Sequence, residues 1–98
     1  MAAVELEFSG EIVEWRGPPP YLFVVAPEEE SAAIEAVSGL VSYGWGCIPV
    51  RARVGTTYFT TSLFPREDMY FVPIKRVVQR AEHVGLGDRV TVRLELDT

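Results

Sequence analysis

Arg51 and Arg53 stand two residues apart, and a run rich in hydroxyls, Thr56-Thr57-Tyr58-Phe59-Thr60-Thr61, follows after Val54-Gly55. A guanidinium can hold a carboxylate or phosphate through two parallel hydrogen bonds, and neighbouring hydroxyls complete such a contact. The chemistry this spacing suits is anion recognition, provided both arginines share a face. A β-strand supplies that, because side chains two apart point the same way. Lys75 adds a further cation, and Trp45, bracketed by Gly44 and Gly46, suits a bend that walls a cleft or plugs a core edge. Arg51, Arg53, Tyr58, Thr60, Trp45 and Lys75 are therefore the candidate binding residues. The same pattern also describes the solvated face of a hairpin, and that reading stands beside it.

Catalysis has less to build on. An enzymatic alternative would use Lys75 or His83 with an acid such as Glu14, but the chain contains no nucleophile elbow, phosphate-binding loop or ligand cluster. With one cysteine and one histidine there is no zinc-type ligand set and no disulfide within a monomer, and neither metal nor cofactor is expected. Cys47, next to Ile48, reads as a small core residue. Glu28, Glu29 and Glu30 point in different directions on a first helical turn, where the helix dipole favours acids, so they mark a helix start rather than a metal site. His83 reads as a helix-end residue.

The elements that must position these residues follow from periodicity. The runs 48 to 54 and 57 to 64 flank Gly55-Thr56, whose leading glycine suits a primed two-residue turn. That turn pairs Val54 with Thr57 and so sets Ala52, Val50 and Ile48 opposite Phe59, Thr61 and Leu63 on an apolar face. The polar face then carries Arg53 beside Tyr58, Arg51 beside Thr60 and Pro49 beside Ser62. A one-residue slip would drive both arginines into the core, which holds the register.

Upstream, Val4, Leu6 and Phe8 alternate with polar residues, and Gly10 marks a bend through which one strand, continuing to Trp15, serves two parts of a sheet. Arg16-Gly17-Pro18-Pro19-Pro20 reads as a stiff connector. Tyr21 to Ala26 is apolar on both faces, which suggests a strand buried on both sides or covered by a helix. After Pro27 the spacing of Ala33, Ile34, Val37, Leu40 and Val41 predicts a helix that ends between Gly39 and Tyr43. Downstream, residues 65 to 68 form a polar turn and 69 to 72 a short strand; Pro73 then opens a second helix with Ile74, Val77, Val78, Ala81 and Val84 as its buried stripe. Gly87-Asp88 turns the chain into its most regular strand, with Val90, Val92, Leu94 and Leu96 inward and Arg89, Thr91, Arg93, Glu95 and Asp97 outward. The fold class is mainly β with two helices (α+β). Six strands leave too many edges bare in an open sheet this small, which predicts a small closed or partly closed six-stranded β-barrel.

A chain of 98 residues fits one domain, residues 1 to 98, with one modest core. The net charge of −5 conceals an asymmetry: residues 1 to 50 carry eight acids and one base, residues 51 to 98 six acids and eight bases. The overall field disfavours nucleic acid, although Arg51, Arg53, Arg66, Lys75, Arg76 and Arg80 leave a basic face open in the second half. No apolar run reaches transmembrane length, so no membrane partner and a cytoplasmic location are expected. The expected partner is a small anionic ligand or another protein, with the oligomeric state left open.

Taken together, FSGEIVEWRGPPPY, YGWGCIPVRARV, TTSLFPREDMYFVPIKRVVQRAE and LGDRVTVRLELD closely resemble the bacterial family known as domain of unknown function 1905, over nearly the whole chain. The resemblance implies a small β-barrel-like domain with two helices and carries no catalytic set. Some members look like the N-terminal part of longer proteins with a second domain linked to bacteriocin protection. A chain ending at Leu96-Asp97-Thr98 resembles the stand-alone form, so no property of that second domain is transferred.

Overall fold

A computed structural model describes residues 3–15, 21–41 and 47–97. Trp45 with its flanking glycines, and the connector 16–20, lie outside the described residues. The chain forms β1 (Ala3–Glu11), β2 (Val13–Trp15), β3 (Tyr21–Val25), α1 (Glu28–Val41), β4 (Ile48–Val54), β5 (Thr57–Arg66), β6 (Met69–Pro73), α2 (Arg76–Glu82) and β7 (Arg89–Asp97). All pairings are antiparallel, in the order β1-β7-β4-β5-β6-β3-β2.

This is the expected mainly β fold with two helices, but it corrects the expectation of a closed six-stranded barrel. Seven strands form one open sheet, curled into a half-barrel. The additional strand arises at Ile12, where the N-terminal run divides: β1 pairs with β7 at one edge of the sheet and β2 with β3 at the other. Ile12 itself is fully buried, and its backbone leaves both ladders to bond the turn before β7, donating to Asp88 O at 2.8 Å and accepting from Gly87 N at 2.9 Å. Gly10 permits the approach that this bend needs, since a Cβ there would stand 2.7 Å from Val24 Cγ1 on β3. A second corner lies in β5, whose residues 57–63 pair with β4 and 64–66 with β6. Strands that change partners in this way are how a sheet turns a corner.

The inner face holds the core: Val50, Ala52 and Val54 of β4, Leu63 of β5, Val72 of β6 and the alternating Val90, Val92, Leu94 and Leu96 of β7. Ile34 of α1 and Val78 of α2 close over it. Ser31, buried on α1, donates to Ala26 O at 2.9 Å and accepts from Tyr70 N at 3.1 Å, tying the helix start to β6. The helix α2 is shorter than its apolar spacing suggests. It begins at Arg76, because Pro73 still belongs to β6, and Val77 is 65% exposed while Ala81 is also exposed. Only Val78 is buried among its seven residues, and His83 caps it in the left-handed region at φ 56°. Cys47 is half-buried rather than a core residue.

Both hairpin turns lie where the strands place them. Gly55 takes φ 60° as the first of two turn residues, the conformation a primed turn of this kind demands. Glu82 at the end of α2 grips that turn, accepting from Thr57 Oγ1 at 2.5 Å and Thr56 Oγ1 at 3.4 Å. Glu67 and Asp68 turn β5 into β6 with φ of 52° and 64°, without a glycine. Among the described residues, no helix is long and apolar enough to cross a membrane.

Candidate functional site

The hairpin register is the one that the turn dictates. Arg53 pairs with Tyr58, Arg51 with Thr60 and Pro49 with Ser62, and all four arginine-ladder residues lie on the outer face of the sheet. What the hairpin alone does not reveal is its other neighbour. Pairing of β4 with β7 sets Arg51 opposite Glu95 and Arg53 opposite Arg93, and β1 beyond sets Glu5 opposite Glu95 and Glu7 opposite Arg93. Two rows thus cross four strands: Glu5, Glu95, Arg51, Thr60, and Glu7, Arg93, Arg53, Tyr58.

The two rows differ in their electrostatics. Arg51 is anchored, its Nε donating to Glu95 Oε1 at 2.8 Å with Nη2 on the same oxygen. Arg93 lies 3.8 Å from Glu5 across β1. Arg53 instead faces a phenol: its Nη1 is 3.5 Å from the Tyr58 hydroxyl and its guanidinium carbon 5.8 Å from the ring centroid. The hydrogen bond with Tyr58 first, and the electrostatic pull of that residue second, raise the Arg53 guanidinium above its ordinary value, with Glu7 adding a smaller pull. Arg53 is a fixed cation directly across from another. Like charges in such a position repel.

Glu5, Arg51, Arg53, Tyr58, Arg93 and Glu95 line a shallow depression of about 310 Å³ over these rows. Three guanidiniums face two carboxylates there, an excess of one positive charge. Tyr58, 75% exposed, forms one side of it. Arg93, Glu95 and Glu5 were not among the residues singled out from sequence. Their outward phase was legible, but which strand lies beside β4 depends on long-range pairing.

One expected member lies elsewhere. Lys75 is not part of this face: it precedes α2 and lines a separate cavity of about 610 Å³ together with Glu14, Arg76 and Gln79. Trp45 lies outside the described residues, and Thr60 holds its register position beside Arg51 without lining the depression. The acid and base of the enzymatic alternative, Glu14 and Lys75, share that second cavity, whereas His83 does not line it. Among the described residues, no group of three or more His, Cys, Asp or Glu side chains could hold a metal ion.

None of the curated proteins matches this chain. The family model described as domain of unknown function (DUF1905) matches residues 8–94. That span takes in β2 to β6, both helices and parts of β1 and β7, and the chain belongs to the DUF1905 family.

Proposed function

We propose that this domain is a non-catalytic binding module whose charged outer face takes a small anion, a carboxylate or phosphate, between Arg53 and Arg93. The observation that carries the reading is their direct opposition across β4 and β7, with a phenol rather than a carboxylate as the contact partner of Arg53. An anion seated between the two guanidiniums turns a repulsive pair into two charge-assisted contacts. Tyr58 supplies a hydroxyl and an aromatic edge to orient the ligand, while the Arg51–Glu95 pair forms a braced rim. Among the described residues that line the depression there is no histidine, cysteine or serine, which favours binding over turnover.

A thermal-shift series with inorganic phosphate, citrate and acetate tests it, run on the native protein and on Arg53→Gln. Glutamine keeps the polar reach while removing the charge. A ligand present at about a hundred times its dissociation constant stabilises by about 2.7 kcal/mol, a readily measured shift. The native protein is expected to respond and Arg53→Gln to lose the response with its own melting temperature little changed. No response from the native protein, or an equal response from both, removes the site.

A further inference from the structure

We propose that the cavity between α2 and the β2–β3 edge is a second site, for an amphipathic monocarboxylate whose head meets Lys75 and Arg76 and whose tail crosses Tyr21 into an apolar slot. The cavity is about 610 Å³, within the roughly 300 to 1,000 Å³ typical of small-molecule sites. Its wall carries two cations, Lys75 and Arg76, against one acid, Glu14, so its charge complements a single negative group. Gln79 is fixed beside them, its Nε2 donating to Ile74 O at 2.8 Å.

The apolar part of the argument is independent of the charges. Tyr21 and Leu86 are 56% and 60% exposed, and both line this cavity. Tyr21 and Pro73 also line an adjoining depression of about 300 Å³ whose other walls are Phe23 and Phe64. A cationic cavity and an aromatic slot therefore share two walls. A polar head with no tail would leave the slot in water, and a neutral apolar molecule would leave the cations unused. Only a molecule with both parts complements both. Glu14 on the opposite side disfavours a second negative group, which selects a monocarboxylate over a phosphate or dicarboxylate.

The test is amide NMR on the whole chain, titrated separately with octanoate, butyrate and octan-1-ol. Octanoate is expected to move the amides of Lys75, Gln79, Leu86 and Tyr21. It should bind more tightly than butyrate, by up to about fourfold for each additional methylene buried. Octan-1-ol, with the tail but no charge, should bind at least about tenfold more weakly. The exposed double variant Lys75→Gln/Arg76→Gln should keep the native amide pattern and bind octanoate no better than octanol. Should that variant not fold, Tyr21→Ser, at an exposed wall, provides the parallel loss of chain-length dependence. Equal binding of octanoate and octanol, absence of chain-length dependence, or no movement at these amides at millimolar ligand overturns the proposal. Movement confined to Arg51, Arg53 and Tyr58 would overturn it too, while leaving the charged face as the carboxylate site, so the two readings fail separately.

Discussion

The outer surface of the sheet changes character along a single strand. On β5, Tyr58 and Thr60 lie beside β4 and continue its charged rows, whereas Phe64 lies beside β6 and joins Phe71 and Phe23. The ring centroids of those three are 5.1 to 5.6 Å apart, and Phe23 is only 2% exposed although it lies on the face away from the main core. Among the described residues the charged half has no such ring cluster. There the outer contacts are exposed polar ones, ion pairs typically worth 0 to about 1 kcal/mol and the Arg53–Tyr58 and Ser9–Thr91 contacts, while the buried side chains lie on the inner face. The contrast shows where the fold tolerates change: substitution costs little on the charged outer face and much among the packed rings.

Breaking each half at its outer face should separate them most clearly. Phe23→Ala removes a ring that contacts both Phe64 and Phe71, so a loss of about 3 to 5 kcal/mol is expected, enough to unfold much of a domain this small. Arg51→Ala, at the matching outer position of the charged half, should cost less than about 1 kcal/mol despite its paired Glu95. Urea denaturation of both variants decides between these outcomes. Similar losses would mean that the two halves are not stabilised differently.

The connection between the halves offers a smaller but sharper break. Gly10 lets β1 lie against β3 where the chain bends into β2, and its absent side chain is what keeps Val24 in place. Gly10→Ala should cost about 1 to 3 kcal/mol through overpacking, and the additional variant Val24→Ala should recover part of the coupling by removing the atom it strikes. A double variant whose cost is the sum of the two single costs would show that the contact is not the cause.

That bend also marks the limit of what the sequence discloses. Gly10 announced a strand serving two parts of the sheet, Gly55 located the β4–β5 register residue by residue, and Val90 to Leu96 declared their inward phase by alternation. Each of these signals is local. Ile12 as the break, β5 passing from β4 to β6, and β7 lying beside β4 all depend on contacts far apart in the chain, and without them the sheet counts as six strands and closes on paper. Val77 failed for a related reason: its helical spacing from Ile74 has meaning only if the helix starts before Arg76, and Pro73 remains in β6 instead. The candidate site is half legible on the same principle. Arg51, Arg53 and Tyr58 come from one hairpin, whereas Arg93, Glu95 and Glu5 arrive on strands that only the fold brings alongside.

The smallest expected effect is the most specific to recognition. Arg53 and Arg93 oppose each other directly, so a double-mutant cycle with glutamine at each position should give a repulsive coupling of about 0.2 to 1 kcal/mol: removing either charge relieves the other. Glu5 and Glu7 reduce this repulsion without abolishing it, because the ion pair of Glu5 with Arg93 spans 3.8 Å in solvent. Screening offers a control. At 1 M salt the Debye length falls to about 3 Å, and a coupling that is Coulombic should shrink towards zero. An anion that seats between the guanidiniums should go further and reverse the sign, since both charges then contribute to one contact and losing either weakens it. Measuring the cycle by urea titration with and without saturating phosphate, at matched ionic strength, separates these cases. A repulsive coupling that phosphate turns attractive identifies the pair as an anion seat. A coupling that phosphate leaves unchanged would mean that the charged half is free of structural duty yet does not bind there.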